Sequence, residues 1–157
     1  MNISTKGRYA VRALLDLALQ PTGEPTLIKD ISKRQGISDL YLEQLFNRLK
    51  TAGLLRSIRG PKGGFMLNKP AVEIKLIDIL EAMEGPIAPV DCVDNATLCT
   101  RADSCVTRDV WAEMKKVMVE MLESTTLEDL VKLENGKSSG ADNKENKRKR
   151  EKRLIKT

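Results

Sequence analysis

Three cysteines form the densest group of chemically reactive side chains in this sequence. Cys92, Cys99 and Cys105 stand at spacings C-x6-C-x5-C in the segment CVDNATLCTRADSC, and the chain has no other cysteine and no histidine. The segment has neither helix nor strand periodicity, which favours a metal-binding loop over three incidental buried thiols. A zinc site normally has four ligands in closely spaced pairs. The wide, uneven gaps here favour an iron–sulphur cluster, whose irons are held by cysteine thiolates.

The charge of this 157-residue chain is divided unevenly along its length. Residues 1–69 contain 12 Lys and Arg against 5 Asp and Glu, residues 70–136 contain 6 against 14, and residues 137–157 contain 9 against 3, so the parts carry +7, −8 and +6. The basic first part indicates a polyanionic partner, and a solvated charged face is the alternative. No run of eighteen apolar residues or signal-peptide pattern is present, which predicts a cytoplasmic protein with no membrane partner and reduced thiols.

The first 53 residues have the pattern of a helix-turn-helix. Apolar residues recur at three- and four-residue steps, which predicts helices over about 5–20, 27–35 and 39–52. Between the last two, Gly36 allows a sharp turn and Ser38 is a good N-cap for the third helix. Two helices joined by a short glycine-containing turn are typical of DNA-binding helix-turn-helix proteins, and a generic helical bundle is the alternative.

A basic hairpin follows the predicted third helix. Residues 54–58 and 65–67 have strand patterns on either side of the turn RGPKGG, residues 59–64. This arrangement predicts a wing, in which glycines let the backbone approach DNA while Arg59 and Lys62 supply positive charge. The alternative, a phosphate-binding nucleotide loop, requires a helix after the glycines, and here a strand follows.

The acidic part of the chain predicts a short helix over about 75–83 and a long one from near Ser104 to about Glu123. The long helix has an apolar stripe: Val106, Val110, Trp111, Met114, Val117, Met118, Met121 and Leu122. This stripe could cover the core of a monomer. Because the first half already has its own core, we expect it to pair with a second copy instead. Thr125 and Glu128 have the spacing of a capping box for a final helix to about Leu133.

These patterns divide the chain into five parts. We expect a winged helix-turn-helix DNA-binding domain over 1–70, a connecting helix and linker over 71–90, a three-cysteine cluster-binding loop over 91–105, a dimerisation helix with a short C-terminal helix over 104–133, and a basic disordered tail over 134–157. The predicted fold class is mainly α, a winged helix-turn-helix with a small β-hairpin wing and a long dimerisation helix.

Three pieces of the sequence resemble one known family as a set. They are KGRYAVRALLDLA, the block ISDLYLEQLFNRLKTAGLLRSIRGPKGGFML and the three-cysteine loop. Together they are similar to the IscR-like family of iron–sulphur cluster-sensing winged-helix transcription regulators, over about residues 1–133. The resemblance implies a homodimer that binds double-stranded promoter DNA. It also implies an iron–sulphur cluster on Cys92, Cys99 and Cys105, with 2Fe–2S favoured over 4Fe–4S.

The resemblance also implies which residues contact DNA and which contact a second subunit. It places the helix that starts at Ser38 in the major groove and Arg59 in the minor groove. Glu43 can accept from cytosine N4, Gln44 can pair with an adenine edge, and an arginine suits a narrow minor groove. The expected DNA contacts are Ser38, Tyr41, Glu43, Gln44, Arg59, Lys62, Lys6 and Arg8. The expected dimer contacts are Val110, Met114, Val117 and Met121.

The fourth cluster ligand departs from the family pattern. Relatives have a histidine three residues after the third cysteine, or an acidic residue near the N-terminus, where this chain has Arg108 and Arg8. A guanidinium stays protonated and cannot bind iron. The candidates for the fourth ligand are therefore a nearby carboxylate, a cytosolic thiol and water. The nearby carboxylates are Asp91, Asp94, Asp103 and Asp109. Asp103 is the candidate among them, and capping of the long helix is its alternative role.

The sequence favours a transcription regulator over an enzyme. Histidine, a nucleophile–base pair and a phosphate-binding loop are all missing from it. With the resemblance, the expectation is a repressor of iron–sulphur cluster biogenesis genes whose promoter binding its cluster controls. One alternative is a nitric-oxide- or redox-sensing regulator of the same fold. The other is a protein-interaction module with no DNA role, although such a module has no need of a basic glycine hairpin.

Overall fold

The computed structural model describes residues 3–21 and 23–137, in which seven α-helices flank one two-stranded hairpin. The elements in chain order are α1 (Thr5–Ala18), α2 (Ile28–Gln35), α3 (Asp39–Thr51), β1 (Leu55–Ile58), β2 (Gly64–Leu67), α4 (Leu76–Glu84), α5 (Asp91–Asp94), α6 (Val106–Ser124) and α7 (127–137). This order confirms the predicted fold class, a mainly α winged helix-turn-helix. Most of the predicted tail, from residue 138 onwards, lies outside the described residues.

The first three helices and the hairpin enclose one apolar core. From α3 come Leu42, Leu45, Phe46 and Leu49, which recur at helical spacing and are all buried. The Phe46 ring meets Phe65 of β2 edge-on, with the ring centroids 4.8 Å apart. Each fully buried side chain of this size stabilises the fold by about 1.5–3 kcal/mol. The core therefore orients the hairpin as well as the helices.

An ion pair between a buried carboxylate and an exposed guanidinium joins α1 to α2. Asp16 is 3% exposed, and its two carboxylate oxygens accept from Arg34 Nε at 2.8 and 3.0 Å. Gln35 Nε2 lies 3.4 Å from the same carboxylate. Since a buried carboxylate is costly unless it is paired, this contact links the two helices at a position that requires a partner.

Substituting Arg34 with Ala should destabilise the domain, because Asp16 then loses its charged partner while staying buried. We expect the free energy of unfolding to fall by about 1–3 kcal/mol, measured by urea denaturation. Lys33→Ala, at an exposed position on the same helix, is the control and should change it by less than about 0.5 kcal/mol. Equal effects of the two substitutions would contradict the role of the pair.

The start of α1 is fastened to the end of α4. Ser4 is the N-cap and accepts from the Lys6 amide at 3.1 Å. Glu84 Oε1 accepts from Ser4 Oγ at 2.5 Å and from the Gly7 amide at 3.2 Å. A Cβ at position 7 would lie 2.7 Å from that oxygen, so glycine permits this approach.

The hairpin also pairs with a segment that precedes α2. In the hairpin, β1 and β2 are antiparallel, with Leu55 opposite Leu67 and Ile58 opposite Gly64. Thr26 then exchanges two backbone hydrogen bonds with Phe65, at 2.9 and 2.8 Å. Strand β2 is therefore hydrogen-bonded both to β1 and to Thr26, which attaches the wing to the helical part of the domain.

The structure corrects three details of the predicted C-terminal half. α6 begins at Val106 with Cys105 at its N-cap position, so Asp103 does not cap it; Asp103 lies in a separate short 3-10 helix. The reciprocal cap of α7 is made by Thr126 and Asp129, with Thr126 N donating at 3.0 Å and Asp129 N at 3.2 Å, rather than by the predicted pair one residue earlier. α7 also continues to residue 137, beyond the predicted end.

Candidate DNA interface and cysteine loop

The outer face of α3 presents polar side chains to solvent. Ser38 is its N-cap and accepts from the Tyr41 amide at 3.4 Å. Glu43 and Gln44 are exposed, while Tyr41 is half-buried. Since the buried residues of this helix face the core, these side chains are free to reach base edges. The geometry therefore suits a recognition helix.

A contact that sequence reasoning missed orients α3 relative to α1 and α2. Tyr41 packs edge-on against Tyr9, with ring centroids 6.0 Å apart. Arg12 lies over the Tyr9 ring at 5.3 Å and donates to the Gln35 carbonyl oxygen at 2.6 Å, at the end of α2. A cation over an aromatic ring is a stabilising arrangement. The three-residue step from Tyr9 to Arg12 on one helix was the signal that could have indicated it.

The wing carries two further exposed cations. Arg59 and Lys62 are exposed in the hairpin turn. Gly63 is buried, and a Cβ there would collide with the carbonyl oxygens of Ile58 and Gly60. Glycine is therefore required for the turn that presents the two cations.

The cations of α1 differ in their exposure. Arg8 is exposed, and its Nη2 lies 3.3 Å from Thr5 Oγ1. Lys6 is half-buried. Arg8 is thus the more accessible of the two for a DNA phosphate.

The three thiols lie at separate points between α4 and α6. Cys92 is in α5 and half-buried, Cys99 follows a 3-10 helix and is exposed, and Cys105 is half-buried at the N-cap position of α6. A hydrogen bond with Thr107, at 3.2 Å, lowers the pKa of the Cys105 thiol. Within the described residues, no three or more Cys, Asp and Glu side chains converge on a point that could hold a metal ion.

Arg108 ties the start of the cysteine loop to α6. Its Nε donates to the Cys92 carbonyl oxygen at 2.8 Å and its Nη2 to that of Val93 at 3.5 Å. Farther along α6, Lys115 forms an ion pair with Asp94. Sequence reasoning had considered Arg108 only as a side chain that cannot bind iron. The structure gives it a role in holding the loop.

The donor set fits an iron–sulphur group in its chemistry. All three thiols are free, and thiolates are the ligands that such irons prefer. Arg108 binds the backbone of Cys92 but leaves the thiols apart. Because no three donor side chains of the described residues converge, the loop would have to rearrange to gather the thiols around a cluster. Asp94 is already paired with Lys115, while Asp103 is exposed.

The apolar stripe of α6 is buried in the core at one end and exposed to solvent over most of its length. Leu122 is buried against Ile77, Leu80 and Ile87, so this end of the helix belongs to the core. Trp111 and Met118 are half-buried. The rest of the stripe is solvent-exposed in the single chain: Val106 by 77%, Val110 by 57%, Met114 by 45%, Val117 by 57% and Met121 by 59%. Apolar side chains in a row at three- and four-residue steps are typical of a helix that packs against another helix.

Known proteins are similar to this chain over nearly all of the described part. A family model described as Rrf2, Iron-dependent Transcriptional regulator, matches residues 3–133. The protein rrf2 of Nitratidesulfovibrio vulgaris is 41% identical over 132 residues, 84% of this chain and 88% of its own length. The transcriptional regulator IscR of Pectobacterium atrosepticum is 41% identical over 131 residues, 83% of this chain and 79% of its own.

Solved structures of transcription regulators also superpose on this chain. CymR, the global cysteine regulator of B. subtilis, superposes with a TM-score of 0.72 at 38% identity, covering 85% of this chain and 98% of its own. The IscR of T. potens superposes with a TM-score of 0.69 at 39% identity, covering 84% and 87%. No helix in the described residues is long and apolar enough to cross a membrane. The chain is a DNA-binding winged-helix transcription regulator, not an enzyme, and belongs to the Rrf2 family.

Proposed function

We propose that this protein is a homodimeric repressor of iron–sulphur cluster biogenesis genes, and that a cluster held by Cys92, Cys99 and Cys105 controls its promoter binding. The observation that carries the proposal is the position of the three free thiols, in one loop that ends at the start of α6. The names of the similar IscR proteins support the same reading. The cluster would be gained or lost as the cellular supply of iron and sulphide changes.

In this proposal α3 lies in the major groove and the wing reaches the minor groove. Glu43 and Gln44 read base edges from the exposed face of α3, and Ser38 and Tyr41 fix its position at the backbone. Arg59 enters the minor groove, whose negative potential attracts an arginine. Lys62, Lys6 and Arg8 add attraction to phosphates, which makes binding dependent on salt.

A continuous set of contacts connects the cysteine loop to the DNA-binding face. Cys105 begins α6, and Leu122 of α6 packs on Leu80 of α4. The end of α4 is joined to α3, because Arg48 donates to the Met83 carbonyl oxygen at 3.2 Å. A ligand shifts a protein between two arrangements by its difference in affinity for them. Binding at Cys105 would therefore bias the placement of α6, and with it the separation of two recognition helices in a dimer.

The test is to purify the protein without oxygen and to record its visible absorption and its iron and sulphide content. Mobility shift with its own promoter is then measured before and after removal of the cluster. We expect a coloured protein whose promoter affinity changes on removal. Protein that stays colourless after reconstitution with iron and sulphide would contradict the cluster. A spectrum that changes with nitric oxide or an oxidant, and not with iron supply, would favour the alternative sensor.

Substituting Arg59 with Ala should weaken specific promoter binding by about 1–3 kcal/mol, because it removes a cation from the minor groove. This corresponds to roughly a 5- to 150-fold loss of affinity, measured by titration at fixed salt. Lys132→Ala is the control, since Lys132 is an exposed cation that pairs with Glu128 on α7. An affinity that falls equally in both variants would contradict the wing contact.

Substituting Glu43 with Ala should change base preference more than affinity. Glu43 is exposed on α3, so its carboxylate is accessible to a base edge. We expect the variant to bind the promoter but to discriminate less against substitutions at one base pair, by about 1–3 kcal/mol. Competition with a set of single-base variants of the site measures this. Unchanged discrimination at every position would exclude Glu43 from base reading.

A further inference from the structure

Arg108 connects the two ends of the cysteine loop. Its backbone amide donates to the Cys105 carbonyl oxygen at 3.0 Å, in the first turn of α6. Its side-chain Nε donates to the Cys92 carbonyl oxygen at 2.8 Å. The backbone of Cys92 therefore lies within the reach of one arginine side chain from the helix start that carries Cys105.

A second tether acts in parallel with the first. Lys115, two turns farther along α6, pairs with Asp94 at the end of α5. Both donors are on α6 and both acceptors are on α5, so the short helix is held along the long one. Cys99 differs, because it is exposed and the bonds of its backbone are local, from its amide to Ala96 O at 3.3 Å and from Ala102 N to its carbonyl at 3.1 Å.

We propose that Arg108 is a positioning residue that holds the Cys92 backbone against the first turns of α6, the helix that Cys105 begins, before any metal binds. A guanidinium cannot bind iron, but its fixed fork of N–H donors suits two neighbouring carbonyl oxygens. Attaching the Cys92 segment to α6 in advance reduces the ordering that metal binding requires. The proposal rests on the proposed function for the identity of the bound group, and the attachment itself can be tested without metal.

The first test measures thiol accessibility in the metal-free full-length chain. Protein kept reduced with a chelator receives a short pulse of N-ethylmaleimide, and the label on each cysteine is quantified by mass spectrometry. In Arg108→Met, which loses the donors but keeps an apolar stem, we expect Cys92 to react about fivefold faster or more because α5 opens from α6. The rate at Cys99 should change by less than about twofold, since Arg108 does not hold it.

Matched variants distinguish loss of the Arg108 contact with Cys92 from a general loosening of the cysteine loop. Lys116→Met, at an exposed position of the same helix, should leave all three rates unchanged. An unchanged rate at Cys92, or an equal rise at Cys92 and Cys99, in Arg108→Met would overturn the proposal. Hydrogen exchange on the wild-type chain tests the attachment without any substitution. Amides of 92–95 should exchange more slowly than those of 97–100, and equal exchange would overturn it.

The second test measures whether the contact of Arg108 with Cys92 slows the release of iron from the reconstituted protein. Wild-type and Arg108→Met proteins are reconstituted with ferrous iron and sulphide without oxygen, and iron release to a colorimetric chelator is followed. We expect release to be about tenfold faster from the variant, as for other residues that orient metal ligands. Faster labelling of Cys92 with unchanged release would overturn the positioning role. If the wild-type protein takes up no iron, the proposed function fails, whereas the labelling result still decides the attachment.

Discussion

Val117→Asp should convert the protein into monomers that no longer bind promoter DNA. Val117 lies in the middle of the exposed stripe of α6, and in a two-fold interface its carboxylate would face the partner's copy in apolar surroundings. Burying an unpaired charge costs several kcal/mol. Since a dimer binds two half-sites about one helical turn apart, a monomer should lose at least about 100-fold in affinity. Sedimentation equilibrium at micromolar concentration and a mobility-shift titration measure the two effects.

Ala112→Asp is the matched control for this substitution. Ala112 is exposed on the same helix but lies about half a turn away from the stripe. It introduces the same carboxylate outside the proposed interface, so assembly and DNA binding should be retained. A wild-type protein that sediments as a monomer, or a Val117→Asp protein that remains a dimer, would rule out this interface.

Replacing any one of the three cysteines with Ala should remove most of the visible absorption of the reconstituted protein. The two thiolates that remain cannot complete the ligation of the irons, which are held mainly by cysteine sulphur. Promoter binding by the variants should then be the same with and without iron and sulphide. Absorption spectra, iron analysis and mobility shift, all performed without oxygen, measure these outcomes.

Thr100→Ala is the control for the cysteine variants, because Thr100 is an exposed residue of the same loop. It should keep the full spectrum and the full response. Cys99→Ala should also leave the stability of the metal-free protein within about 0.5 kcal/mol, since Cys99 is exposed. A cysteine variant that retains the wild-type spectrum would remove that residue from the ligand set.

The elements that build the DNA-binding part could be predicted because their signals are local. The apolar steps of α3 predicted the four residues that the structure buries, and Ser38 and Gly36 marked the turn before it by capping and by a left-handed backbone. Local signals became ambiguous at the C-terminal half. Thr125 and Thr126 both precede an acidic residue by three positions, and pairing of Thr126 with Lys75 across the fold selects the second.

Composition and spacing were sufficient to predict a three-thiol loop, a basic helix-turn-helix with a wing, and an amphipathic long helix. These features depend on residue type and on periods of two and 3.6 residues, which are visible in the chain itself. The tertiary structure alone revealed which part of the α6 stripe is covered by Ile77 and Leu80 and which part is exposed. It likewise revealed that Arg108 holds the Cys92 carbonyl. Such contacts join residues that are distant along the chain, and their partners are set by how the helices pack rather than by any local pattern.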